Sequence, residues 1–186
     1  MTVFIRSANA NDLPAVEKLL RAAWHAAYDS IHGAEKIEDI SRSWHNQSAL
    51  KANLHKPWSE FLLADTGETI VGMAYASQTS EEFVLLHQLY VDSAITGQGI
   101  GAQLLEECFE SFPEAKAFRL EVDEQNPRAV SFYGRFGFRE TGRTANCGRE
   151  GSDMPAINRR PSGRKPSPEG RSSSATTTCL RPVCGS

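Results

Sequence analysis

Three glycines spaced two apart carry the sharpest chemical signal in this chain. In Thr96-Gly97-Gln98-Gly99-Ile100-Gly101 they stand at the mouth of a helical pattern, where free backbone N–H groups and the helix dipole favour an anion. Without side chains, the backbone there can approach a pyrophosphate closely. The segment is not a P-loop, which needs Gly-Lys-Ser or Gly-Lys-Thr at its end, because it closes on Gly101-Ala102-Gln103. It comes near a dinucleotide fingerprint: Gly97, Gly99 and Ala102 match G-x-G-x-x-G/A, and Glu121 falls about where a ribose-binding acid would stand. That fingerprint should follow its strand at once, yet five residues separate Val91 from Gly97 and a three-strand run precedes them. Cys108, Cys147, Cys179 and Cys184 form no Cys-x-x-Cys pair and have no clustered histidines, so neither a metal site nor a disulfide framework is predicted.

The elements that must hold this loop follow from periodicity. Residues 2–6 alternate as a first strand. Asn9 and Asp12 form a capping-box-like start, and Leu13, Val16, Leu20, Trp24 and Ala27 continue at helical spacing to about Tyr28. A weaker helical pattern (Ile37, Ile40, Trp44, Leu50, Leu54) stops before Pro57. Ser59–Ala64 and Thr69–Ala76 around Asp65-Thr66-Gly67 read as a hairpin, with Phe83–Val91 as a third strand. After the glycines come a helix carrying Leu104, Leu105, Cys108 and Phe109, and a strand over Ala117–Val122. A second helix opens at Asn126-Pro127 and ends at Gly137, and a strand follows over Phe138–Arg143. The order predicts an α/β (α+β) domain with a mixed sheet.

Leu89-Tyr90-Val91-Asp92 followed by Gly97-Gln98-Gly99-Ile100-Gly101 and Leu104-Leu105 resembles the acetyl-CoA motif of the GNAT superfamily of N-acetyltransferases. Leu120-Glu121-Val122, then Asn126, Ala129, Phe132-Tyr133 and Phe136-Gly137-Phe138, resembles its second motif, N-x-x-A-x-x-x-Y-x-x-x-G-F. The resemblance runs from about Val3 to Ile157. One departure is Thr96, where the family usually has Arg or Gln. It implies a mostly antiparallel sheet flanked by helices, with one parallel pair splayed around acetyl-CoA, and transfer of acetyl to a primary amine by direct attack. N–H groups of Gln98, Gly99, Ile100 and Gly101 would hold the pyrophosphate, and backbone groups of Leu89 and Val91 the pantetheine arm. Asn126 would contact that arm, and Tyr133 would protonate the departing thiolate. A catalytically silent CoA-binding or regulatory module on the same fold is the alternative.

An attacking amine must shed a proton. His87 lies two and four residues before Leu89 and Val91, which predicts that it shares their face, and some relatives that acetylate arylalkylamines carry a histidine there. A partly buried strand histidine satisfied by a backbone carbonyl is at least as good a reading, and Glu82 and Glu121 are weaker bases, reached through water. Trp24, Tyr28 and Trp44 either line an acceptor pocket or pack in the core, the core being favoured for Trp24. The acceptor is a small-molecule or peptide amine whose identity is not encoded in any motif.

The chain has 186 residues, 40% hydrophobic and 23% charged, which suits one domain. No apolar run is long enough to cross a membrane and no basic leader precedes one, which predicts a cytoplasmic protein without membrane contact. The charge is divided. Residues 158–186 hold six Lys or Arg against one Glu, leaving fourteen basic against twenty-two acidic residues elsewhere. That last segment is rich in Pro, Ser, Gly and Thr, without interleaved aromatics, so it is predicted to be a disordered tail and not a nucleic-acid platform. The folded domain is accordingly set at 1–157. Asp153-Met154-Pro155-Ala156-Ile157 resembles the start of the family's final strand, and Asn158-Arg159-Arg160-Pro161 is predicted to stop it within a residue or two of Ile157. A strand so shortened would leave its neighbour with unpaired backbone, a homodimer-pairing edge.

Overall fold

A computed structural model describes residues 2–145 and 156–161. β1 (Phe4–Ser7) leads into the capping box, where the Asn9 N–H donates to the Asp12 carboxylate at 2.8 Å. α1 (Leu13–His32) runs one turn beyond its predicted end. It stops where Gly33, at φ 87, takes a conformation that a Cβ would oppose. The single weak helix expected next is two helices, α2 (Ala34–Trp44) and α3 (Gln47–Leu54). Asn46 divides them, its side-chain oxygen accepting the Ala49 N–H at 3.0 Å as an N-cap.

β2 (Ser59–Asp65), β3 (Ile70–Gln78) and β4 (Phe83–Val91) form the meander. α4 (Ile100–Ser111), β5 (Ala117–Asp123), α5 (Pro127–Arg135), β6 (Phe138–Thr144) and β7 (Ala156–Pro161) complete the chain order. The seven strands lie in the order β1-β2-β3-β4-β5-β7-β6. Every neighbouring pair is antiparallel except β4 with β5. One apolar layer packs α4 and α5 on Ala74, Leu86, Leu89 and Val91. The other packs α1–α3 on Met73, Tyr75 and Tyr90. Alternating residues of β3 and β4 thus feed opposite layers, as a sheet covered on both faces requires.

β7 corrects the reading of the last strand. It continues to Pro161, pairing Ala156–Arg159 with β5 on one side and Ala156–Pro161 with β6 on the other. Backbone hydrogen bonding does not depend on which side chains follow Ile157, so the polar residues there do not end the strand. The unpaired backbone from which a homodimer edge was expected is therefore filled by β7. Residues 162–186, and with them most of the predicted tail, lie outside the described residues, as do Cys147, Cys179 and Cys184.

Candidate active site

β4 and β5 pair only at Phe83–Ala117, Val84–Phe118 and Leu85–Arg119. Beyond that β5 turns its hydrogen bonds to β7, from Leu120 to Asp123, while β4 continues to Val91 against β3. The two strands part, and among the described residues the β5-facing edge of β4 from Leu86 to Val91 has no strand on it. Leu89 and Val91 send their side chains into the α4–α5 layer, and because the Asp92 N–H donates to the Val71 carbonyl on β3, the alternating backbone groups of Leu89 and Val91 face the open edge.

The glycine-rich turn follows directly. Asp92 accepts the Ala94 N–H at 2.9 Å, Thr96 bonds back to the Ser93 carbonyl, and Gly97 and Gly99 have φ of 92 and 81. Gly99 is the N-cap of α4, and the first bond into that helix runs from the Gln103 N–H to the Gly99 carbonyl at 3.1 Å. The N–H groups of Gln98, Gly99, Ile100 and Gly101 precede that bond and have no helical carbonyl to reach. A Cβ at Gly99 would meet no atom within 4 Å, so the loop borders open space. A Cβ at Gly72, by contrast, would come within 3.1 Å of both Leu104 Cδ1 and the Tyr90 carbonyl, which is how closely α4 seats on the sheet. The loop therefore fits a pyrophosphate: a positive helix end, donors outside the helical ladder and room for backbone approach at Gly99.

On α5, Asn126 and Tyr133 stand seven residues apart, two turns along one face. The Asn126 oxygen caps the helix through the Ala129 N–H at 3.1 Å, and its amide donates to the Tyr28 hydroxyl at 3.4 Å. Tyr133 is fully buried, edge-on to Phe132 and Phe138 with centroids 5.0 and 5.6 Å away.

His87 does not share the face of Leu89 and Val91. Gln88 opposes Tyr75 and Leu86 opposes Ala76, so His87 is the extra residue of a β-bulge. The bulge resets the alternation and turns His87 toward α1–α3. There its ring stacks on Tyr75 at 5.2 Å and its Nε2 lies 2.7 Å from Ser77 Oγ, both on β3, away from the gap. Lys56 Nζ donates to that same Ser77 oxygen at 3.3 Å, which leaves the Ser77 hydrogen for His87 Nε2 and occupies the lone pair a base would use. Glu82 lies at the paired end of β4 and β5, on the surface, and forms an ion pair with Lys116. Glu121 shares the α1-side face of β5 with Asp123, since Leu120 and Val122 enter the other layer.

Trp24, Tyr28 and Trp44 belong to the α1–α3 core, with Trp24 completely buried. His45, between α2 and α3, is also completely buried, its ring 5.0 Å from that of Trp24. Neither of its nitrogens has a partner among the described residues, and burial pushes its pKa down to about 3. Gln88 is buried with both amide atoms unpartnered among the described residues. Cys108 lies on the buried face of α4, where burial pushes the thiol up and keeps it from serving as a nucleophile. One pairing was missed by the sequence reading: His32, on the last turn of α1, bonds to Asp123 at the end of β5. Gly33 immediately after His32 was the available signal for the longer helix.

Parted parallel strands that open onto a glycine-rich helix start define an acyl-CoA-using transferase. The family model described as "Acetyltransferase (GNAT) domain" matches residues 28–154. The peptidyl-lysine N-acetyltransferase YjaB of Salmonella typhimurium is 32% identical over 134 residues, covering 69% of this chain and 79% of the relative. The spermidine N(1)-acetyltransferase of Thermoplasma acidophilum is 29% identical over 146 residues, 75% of this chain and 89% of its own. Among solved structures, the PaiA N-acetyltransferase of Thermoplasma acidophilum in complex with coenzyme A superposes with a TM-score of 0.74 at 23% identity, covering 87% and 99% of the two chains. The chain belongs to the GNAT family of acetyltransferases, acyltransferases that use acetyl-CoA as co-substrate. Among the described residues, no helix is long and apolar enough to cross a membrane, and no three His, Cys, Asp or Glu gather as metal ligands.

Proposed function

We propose that the chain moves the acetyl group of acetyl-CoA onto a primary amine by direct attack. The parting of β4 from β5 after Leu85, with the α4 N-terminus at the open end, is the observation that carries this reading. In it, the N–H groups of Gln98, Gly99, Ile100 and Gly101 hold the pyrophosphate. The pantetheine arm takes the place of a strand along Leu89 and Val91, passing Asn126, and one backbone N–H of that edge faces the thioester oxygen as charge develops. Tyr133 protonates the leaving thiolate, and no covalent acyl-enzyme is formed.

The acceptor in this reading is a cationic amine, a polyamine or a lysine side chain. Two things support it: the relatives are named for peptidyl-lysine and spermidine, and the acidic excess outside residues 158–186 attracts cations. The test is to incubate the purified chain with acetyl-CoA and an amine panel that includes spermidine and a lysine peptide, following CoA release. Acetyl-CoA alone should raise the melting temperature, as any ligand of the folded state does, while NAD and NADP should not. A clear shift with acetyl-CoA but no CoA release on any amine would replace the enzyme reading with a silent CoA-binding module.

A further inference from the structure

The acetyl-transfer reading needs an acceptor for the amine proton once His87 is turned away to Ser77. We infer that His32 is the base that takes it, with Asp123 as the residue that orients His32; the inference rests on that reading and adds a group to its site.

The extra turn of α1 is what brings the pair together. His32 Nε2 lies 2.8 Å from Asp123 Oδ2, a contact between residues 91 apart in sequence. The other Asp123 oxygen accepts the Gln125 N–H at 2.8 Å. The Asp123 side chain is fully buried and that of His32 is 7% exposed, so the carboxylate has little water and relies on these donors. A carboxylate at Nε2 fixes the hydrogen on that nitrogen and leaves the lone pair on Nδ1. Nδ1 has no hydrogen-bond partner among the described residues.

The position suits the task. Asp123 lies beyond the last β4–β5 pair, on the α1 side of β5, at the wide end of the gap. Tyr28 packs beside His32 at 5.9 Å and receives the Asn126 amide, which ties this wall to the start of α5. Tyr133 belongs to the opposite layer. The thioester would therefore lie between a base on one face of the sheet and an acid on the other. The amine enters from the α1 side and the thiolate leaves on the α5 side.

Other titratable groups surround His32. Asp29, on the same helix, pairs with His25 at 2.8 Å, and Glu124 beyond β5 pairs with Arg143 at 2.8 Å. Glu121 lies two residues before Asp123, and Glu35 and Lys36 open α2. His45, the other deeply buried histidine, has no carboxylate partner and is too weakly basic at pKa about 3.

A cationic amine first releases one proton to solvent; in the step, the free amine nitrogen bonds to the thioester carbon and the carbon–sulfur bond breaks. The proton shed by nitrogen goes to His32 Nδ1, the Tyr133 O–H supplies one to the thiolate, and solvent returns both side chains to their starting states.

The experiment compares wild type, His32→Gln, Asp123→Asn and His87→Ala on whichever panel amine, spermidine or lysine peptide, the wild type turns over fastest, from pH 6 to 10. His32→Gln keeps an N–H for Asp123. It should lower kcat/KM at pH 7 by about 10²–10⁴ and abolish the acid limb, the rate then climbing until free amine predominates. Its acetyl-CoA melting shift and KM for acetyl-CoA should match wild type. Asp123→Asn should lower kcat/KM by roughly tenfold with KM for acetyl-CoA unchanged, because His32 loses the carboxylate that orients it. A wild-type-shaped profile in His32→Gln, or loss of the limb in His87→Ala alone, overturns the assignment. No wild-type turnover on any amine would instead overturn the acetyl-transfer reading, and this assignment with it.

Discussion

Acid should weaken this fold through His45 at a pH where its carboxylates are still ionised. His45 is completely buried against Trp24, and its pKa falls from 6.5 to about 3 because no group compensates the charged ring. A histidine depressed in the folded state contributes stability that is present above its unfolded pKa and drains away as pH falls toward the folded value. Between pH 8 and pH 5 only the unfolded chain takes up this proton, so the loss is ~2 kcal/mol whether the folded pKa is nearer 2 or 4. Against a total stability of roughly 5–15 kcal/mol that is large, and it corresponds to a urea midpoint lower by about 1 M. Asp12, Asp65 and Glu38 have depressed pKa values, so their losses begin only below their ordinary range of 3.8 to 4.5. His25 acts with the opposite sign, since Glu38 raises it and its contribution fades as pH rises. The comparison that isolates His45 is urea unfolding of wild type and His45→Phe at pH 8, 6.5 and 5. Phe keeps the ring and removes two nitrogens without partners, so the variant should be at least as stable as wild type at pH 8. It should then lose ~2 kcal/mol less on going to pH 5. Parallel pH dependences in the two proteins would show that His45 is hydrated or paired in solution and refute the reasoning.

Three further outcomes are expected. Tyr133→Phe keeps the ring packed on Phe132 and Phe138, and should lower turnover by about 10²–10⁴ with acetyl-CoA affinity unchanged; wild-type turnover would make Tyr133 a packing residue. Gly99→Val should abolish the melting shift given by acetyl-CoA and lower the unliganded melting temperature by a few degrees, since φ 81 opposes a branched Cβ; an unchanged shift would move the phosphate elsewhere. Cutting the chain after Pro161, where β7 ends, should leave melting temperature and CoA release unchanged, and a drop of several degrees would show that residues 162–186 pack on the domain.

What was legible in the sequence is what local chemistry determines. The capping box at Asn9, the Pro127 helix start, the glycine turn and, apart from the division of α2 from α3, the order of elements all depend on residues within a few positions of each other, and the structure has each of them. The parting of β4 from β5 came from the family resemblance, since pairing partners of a parallel strand are set by topology. The errors have a common origin. Period-two counting placed His87 with Leu89 and Val91, but one inserted residue in the ladder reverses every face beyond it, and the register that creates the bulge belongs to β3. The end of β7 was read from polar side chains, although a strand flanked on both sides is held by its backbone.

The histidine that replaces His87 in this account shows the same limit from the other side. Gly33 marks the end of its helix, but nothing near His32 in sequence marks it as a base, because its partner is 91 residues away. Its chemistry exists only once α1 is a turn longer than its apolar stripe requires. The two histidine effects also bear on one measurement. An acid limb in the rate can be assigned to His32 only where the protein remains folded, and His45 begins to erode stability below pH 6.5, its unshifted value. His45→Phe, which should flatten that erosion, is therefore the background in which the limb should be remeasured. A limb that persists unchanged there reports proton transfer; one that disappears reports unfolding.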